Sequence, residues 1–81
     1  MATVMKMELS IGEKIRMLRE DHDLNQTELG KALMMTQRKI SYIECGKYPP
    51  NADDLAAFCR FFRVSADFLL GLPKGLHYPE R

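Results

Sequence analysis

The stretch from residue 25 to residue 45, NQTELGKALMMTQRKISYIEC, limits the possible folds more than any other part of the chain. It contains two short helical patterns that are joined by only a few residues. Asn25 can cap the first helix, and Glu28, three residues later, can complete a capping box. Thr36 can cap the second helix, which we predict from Gln37 to about Cys45.

The second predicted helix has an apolar side and a polar side. Ile40 and Ile43 have the spacing of inward-facing residues. The opposite side carries hydrogen-bonding and cationic groups that have no reason to be buried: Gln37, Arg38, Lys39, Ser41 and Tyr42. Two short helices with a tight join, the second with an exposed polar face, are the pattern of a helix-turn-helix.

Three further helices are predicted around this pair. Ser10 and Glu13 form a second capping box, which begins a helix that runs to about His22. Asn51 can cap a fourth helix, whose predicted buried face consists of Leu55, Phe58, Cys59 and Phe62. Ser65 can cap a short fifth helix, in which we expect the core to be closed by Phe68, Leu69 and Leu70. We therefore predict an all-α fold, a compact five-helix bundle.

The 81 residues have room for a single domain. We predict a flexible N-terminal arm over residues 1–9, a domain over 10–72 and a short tail over 73–81. No apolar run approaches the ~20 residues that span a membrane, and the first residues are too weakly apolar for a secretory signal. A cytoplasmic location is expected, in which Cys45 and Cys59 stay free thiols.

Residues 25–30, Asn-Gln-Thr-Glu-Leu-Gly, and residues 36–47, Thr-Gln-Arg-Lys-Ile-Ser-Tyr-Ile-Glu-Cys-Gly-Lys, resemble the phage repressor and Cro family, also called xenobiotic-response-element-like regulators. The resemblance extends from about Ser10 through Gly71. It implies a lambda-repressor-like domain that binds double-stranded DNA. The family usually has glycine where this chain has Met34, because the backbone there tends to need a positive φ. Methionine in that conformation costs about 1 kcal/mol or more.

The helix-turn-helix pattern also predicts which residues contact DNA. Helix 37–45 would lie in the major groove, where Gln37 can pair with adenine and Arg38 with guanine. Tyr42 can touch a thymine methyl group or a phosphate, and Ser41 is a weaker candidate for a base contact. The predicted phosphate contacts are Asn25 and Gln26 at a helix N-terminus, together with Lys39 and Lys47. The alternative for this whole set is a polar helix face in water.

Two further predictions concern contacts between protein groups. In the resembling family an arginine at the position of Arg19 pairs with a glutamate at that of Glu44, and the alternative is a solvated arginine. We also predict a homodimer, since such regulators usually bind two half-sites. Its interface is predicted to combine the fifth helix with Phe61, Leu72, Leu76 and Tyr78. The alternative for Phe61 is that it completes the core of the monomer.

The most favoured function is that of a small transcriptional regulator, a repressor. A net charge of only +1 counts against a simple DNA-binding function, although cationic groups cluster in or beside the second helix of the motif. An antitoxin of a toxin–antitoxin pair and a protein-interaction bundle that has lost DNA binding stay open as alternatives. The sequence indicates no catalytic set, cofactor, small-molecule ligand or metal site, since the only histidine besides His22 is His77, in the tail.

Overall fold

In the part of the chain that the structure describes, each helix follows a residue whose side chain accepts a hydrogen bond from the backbone N–H three positions later. The caps are Ser10, Asn25, Thr36, Asn51 and Ser65. The computed structural model describes residues 9–72. Over that range it contains α1 (Ile11–Asp21), α2 (Gln26–Leu33), α3 (Gln37–Glu44), α4 (Ala52–Phe62) and α5 (Ala66–Leu70). The predicted five-helix, all-α fold is confirmed.

The predicted arm, apart from Leu9, and the predicted tail lie outside the described residues. No helix between residues 9 and 72 has the length and apolar character that crossing a bilayer demands.

Each of the five helices contributes to one core. The buried hydrophobic residues are Ile15, Leu29, Ile40, Ile43, Phe58, Phe62 and Leu69. In α5, the expectation that three residues close the core is wrong, because Phe68 is 42% exposed and Leu70 is 45% exposed. A helix of five residues makes little more than one turn and therefore directs only one side, that of Leu69, to the core.

The α2–α3 turn keeps the backbone conformation that glycine favours, although it contains Met34. Met34 has φ 59° and ψ 41°, in the left-handed region, and its side chain points into solvent. The next residue, Met35, donates its N–H to the Gly30 carbonyl at 2.8 Å. A Cβ at Gly30 would lie 2.5 Å from the Met35 carbonyl oxygen. The small residue at position 30 is therefore required by the close approach of the backbone in the turn.

Candidate nucleic-acid interface

The outer side of α3 is a polar helix face that is exposed next to the α2–α3 turn. Ile40 and Ile43 are buried, so the other side of this two-turn helix must face solvent. Arg38 and Tyr42 are exposed there, and their spacing of four residues places them side by side. Gln37 is exposed at the start of the helix, while Ser41 is half-buried.

The N-terminus of α2 lies beside the start of α3. Asn25 Oδ1 accepts a hydrogen bond from Glu28 N at 2.7 Å, and Glu28 Oε1 accepts one from Asn25 N at 2.8 Å. This capping box fixes the direction in which the first turn of α2 points. The backbone N–H groups of a first helical turn have no partner within the helix, and they attract anions such as phosphate.

A hydrogen-bonded chain joins the outer face of α3 to the interior. Gln37 Nε2 donates to Gln26 Oε1 at 2.6 Å, and Gln26 Nε2 donates to Glu44 Oε1 at 3.1 Å. Glu44 also binds Arg19, with Nε to Oε2 at 2.6 Å and Nη2 to Oε1 at 3.1 Å. Arg19 Nη1 donates further to the Leu24 carbonyl at 2.8 Å. The structure thus brings the two predicted ion-pair residues together and connects them to Gln37.

Burial makes the Arg19–Glu44 pair a rigid link between α1 and α3. The two side chains are 12% and 5% exposed. The hydrogen bond to Glu44 raises the pKa of Arg19 above its ordinary value, and the negative charges of Glu44 and Glu20 act in the same direction. Arg19 is therefore largely shielded from solvent, and its guanidinium group is held by Glu44 and the Leu24 carbonyl.

The four predicted phosphate contacts lie in different environments. Asn25 is exposed and Gln26 is half-buried at the α2 N-terminus. Lys47 is exposed, and its Nζ lies 5.7 Å from the centre of the Tyr42 ring. Lys39 differs from these three, because its Nζ donates to Asp54 Oδ1 at 2.9 Å. That hydrogen bond raises the pKa of Lys39 above its ordinary value.

Asp54, in the first turn of α4, has a role that was not predicted from the sequence. Asp54 is buried and forms a third capping box with Asn51, through contacts of 2.8 and 3.1 Å. The signal was present in the sequence, since Asn51 and Asp54 have the same spacing as Ser10 and Glu13.

A shallow cavity of about 240 Å³ opens between α1, the start of α2 and α3. Its lining consists of Arg16, Arg19, Gln26, Ser41, Glu44 and Cys45. Polar and cationic groups therefore continue from the face of α3 to the end of α2 that can receive a phosphate.

The structure describes only two of the four residues predicted for the dimer interface. Phe61, on α4, is 36% exposed, and its ring packs edge-on against Phe62 at 5.1 Å between centroids. Leu72, which follows α5, is 38% exposed. Leu76 and Tyr78 lie outside the described residues. Phe61 therefore contacts the monomer core and still offers apolar surface.

Residues 10–69 match the family model described as a helix-turn-helix domain. Since this match covers most of the chain, the protein belongs to the helix-turn-helix family, and specifically to its phage repressor and Cro-like transcriptional regulators. Over 62 residues the chain is 36% identical to the HTH-type transcriptional activator BcrR of Enterococcus faecalis. That match covers 76% of this chain and only 30% of BcrR.

Two solved structures of the P22 c2 repressor share the fold. One is a crystal structure of that repressor with synthetic operator 9T in the presence of Tl⁺. It has a TM-score of 0.73 and 32% identity, and the match covers 78% of this chain and 96% of that one. The other is a solution structure of its DNA-binding domain, with a TM-score of 0.71, 31% identity and coverages of 78% and 84%.

Proposed function

We propose that this regulator recognises specific double-stranded DNA sequences by inserting α3 into the major groove. One observation carries the proposal: the outer side of α3 presents Gln37, Arg38 and Tyr42 to solvent while its inner side is fixed in the core. An α-helix with free hydrogen-bonding side chains fits the width of the major groove. The similarity to the P22 c2 repressor, which was solved in complex with a synthetic operator, supports binding to operator DNA.

Four residues of α3 are the proposed base contacts. Arg38 donates to O6 and N7 of guanine, and Gln37 pairs with adenine. Tyr42 and Ser41 lie further along the helix and contact neighbouring positions. The hydrogen bond from Gln37 to Gln26 supports this assignment, because a side chain that is already oriented loses less conformational entropy on binding.

The proposed phosphate contacts come from the edges of this face. Asn25 and Gln26 offer the N-terminus of α2, and Lys47 offers a free-standing cation beside Tyr42. These contacts give affinity without sequence preference and weaken as salt is added. Lys39, the fourth phosphate contact predicted from the sequence, already has Asp54 as its partner.

A homodimer is part of the proposal. One copy of α3 reads only a few base pairs, so two copies on half-sites one DNA turn apart are needed for a useful specificity. The exposed apolar surface of Phe61 and Leu72 supports a contact between two copies in this region.

Repression is the proposed regulatory outcome, because a protein bound across a promoter blocks access to it. The similarity to the P22 c2 repressor supports this direction. The similarity to the activator BcrR favours activation as a second candidate. A reporter promoter that carries the binding site separates the two: expression falls when the regulator represses and rises when it activates.

The test of DNA recognition is selection from a random duplex library with the purified protein. Enrichment of a two-fold symmetric sequence is the expected result. The matched control is a Gln37→Ala/Arg38→Ala variant, which should enrich no sequence; a cooperative thermal unfolding transition would show that this variant is still folded. If the wild type enriches nothing even at low salt, the proposal is wrong and the protein-interaction bundle becomes the better explanation.

A further inference from the structure

Lys39 was predicted to contact a DNA phosphate, but within residues 9–72 its ammonium group forms an ion pair with a buried carboxylate, that of Asp54. Its Nζ lies 2.9 Å from Asp54 Oδ1, and the two side chains are 31% and 7% exposed. The same ammonium lies 5.3 Å from the centre of the Tyr48 ring. It is therefore held between the start of α4 and the loop after α3, away from the open face of that helix.

Asp54 binds Lys39 through one carboxylate oxygen and takes part in the α4 cap through the other. Its second oxygen, Oδ2, accepts the N–H of Asn51 at 3.1 Å, while its own N–H donates to Asn51 Oδ1 at 2.8 Å. If Lys39 moved to a DNA phosphate, a nearly buried carboxylate would lose its counter-ion, which is strongly unfavourable. A phosphate contact by Lys39 would thus be made at the expense of its ion pair with the buried Asp54.

Lys47 provides the contrast within the same region. It is exposed, and no carboxylate of residues 9–72 lies within ion-pair distance of it. Its ammonium stands over the ring of Tyr42, on the solvent side of α3. Lys47 is therefore free to meet a phosphate without breaking any ion pair within that range.

The Lys39–Asp54 pair is one of the side-chain links between α3 and neighbouring helices within residues 9–72. Glu44 ties the end of the helix to Arg19 of α1, and Gln37 ties its beginning to α2. Lys39 ties it to the first turn of α4, on another side. A helix of only eight residues has little packing area, so such links decide the angle at which its outer side chains project.

We infer that Lys39 is a positioning residue, which sets the orientation of Arg38 and Tyr42 through Asp54 and thereby governs discrimination between DNA sequences, and that it is not a phosphate contact. The inference rests on the proposed function. A phosphate contact by Lys39 was predicted from its charge alone.

The test compares Lys39→Met, which keeps the length of the stem, with Lys39→Arg, which keeps the cation, and with Lys47→Met. Affinity is measured by fluorescence anisotropy for the selected duplex and for a scrambled duplex, over a series of KCl concentrations. Lys39→Met should lower the preference for the selected duplex about tenfold, the discrimination that roughly one base provides, with an unchanged salt slope. Lys39→Arg should restore most of the preference.

Lys47→Met should weaken binding to both duplexes by the same factor and reduce the salt slope by about 0.9 for each phosphate that the variant no longer neutralises. The inference is overturned if Lys39→Met behaves in this way too, or if it binds both duplexes as the wild type does. If the wild type itself does not distinguish the duplexes, the proposed function fails and the inference fails with it. If the wild type and Lys39→Met prefer the selected duplex equally strongly, the inference is overturned and the proposed function stands.

A measurement on the unaltered protein keeps the inference falsifiable if Lys39→Met does not fold. In the complex with the selected duplex, NMR detects a coupling between a lysine ¹⁵Nζ and a ³¹P nucleus when an ammonium group binds a phosphate. We expect this coupling for Lys47 and not for Lys39. Its presence at Lys39 would overturn the inference.

Discussion

Met34 carries a backbone cost that no side-chain contact offsets. It has φ 59°, and its side chain is 95% exposed. The left-handed conformation costs an L-residue about 1–2 kcal/mol, which glycine avoids, although glycine loses more backbone entropy on folding. We expect Met34→Gly to raise the free energy of unfolding by about 0.5–1 kcal/mol, measured by urea denaturation. Met34→Ala keeps the strain and is the control; an equal gain for both variants would contradict the explanation.

Arg38 and Lys47 test the division of the proposed surface into base and phosphate contacts. Arg38→Ala should remove about 1–3 kcal/mol of discrimination at one position of the binding site, since Arg38 is the proposed partner of a guanine. Lys47→Ala should weaken binding to all sequences and reduce the salt slope by about 1. Binding measured against a set of single-base variants of the selected site separates the two effects. Equal, sequence-independent losses for both variants would mean that Arg38 meets only phosphate.

At the level of the helices, Gly12 determines how closely α1 approaches α3. A Cβ there would lie 2.6 Å from the Glu44 carbonyl oxygen and would also clash with that of Ile43. Because these are backbone atoms, the helices themselves must move apart. We expect Gly12→Ala to destabilise the fold by about 3 kcal/mol. Gly46→Ala is a suitable comparison: its Cβ meets nothing within 4 Å, so only the cost of its positive φ, about 1 kcal/mol, applies. A similar decrease in the free energy of unfolding for both variants would contradict a close approach of α1 to α3.

The link between α3 and α4 predicts a dependence of stability on alkaline pH. The hydrogen bond to Asp54 raises the pKa of Lys39 above 10.5, so folding favours the protonated ammonium. Its stabilisation is complete below pH 10.5 and is lost as the pH rises through the higher folded-state value. The difference in free energy of unfolding between the wild type and Lys39→Met should therefore narrow above this pH. Urea denaturation of both proteins below and above pH 10.5 measures this difference. A difference in free energy of unfolding that does not change with pH would contradict the prediction.

The helices themselves are predictable because their signals are local. A capping residue and its partner three positions later mark each beginning, as at Asn25 and Glu28, and the apolar spacing identifies Ile40 and Ile43 as core. Contacts between distant segments are harder to predict. Nothing near Gly12 in the sequence indicates that a carbonyl oxygen of α3 lies against this residue. The Lys39–Asp54 pair likewise joins residues that are fifteen positions apart.

In the candidate site, too, local features were predictable from the sequence and contacts between distant segments were not. That α3 exposes Gln37, Arg38 and Tyr42 follows from helical periodicity, whereas the Arg19–Glu44 pair was expected only from the family resemblance. Charge alone grouped Lys39 with Lys47. In the structure only Lys39 of these two lysines has a buried carboxylate, that of Asp54, within ion-pair distance among residues 9–72. The sequence alone does not indicate this difference.

For the whole molecule, a net charge of +1 means that attraction to DNA must come from local clusters of cationic groups. The proposed dimer predicts that Leu72→Glu, which places a charge on exposed apolar surface, converts a particle of twice 9.4 kDa into one of 9.4 kDa in analytical ultracentrifugation. The operator affinity should fall with it, since each copy then binds one half-site without the help of the other. Tyr42→Ala is the control, because Tyr42 is similarly exposed but lies on α3, where it should alter DNA binding and leave the mass unchanged. A wild type that sediments as a monomer at tens of micromolar would exclude a stable dimer in the absence of DNA. The two-fold contact would then have to form on the operator, and cooperative binding to paired half-sites would be the property to measure.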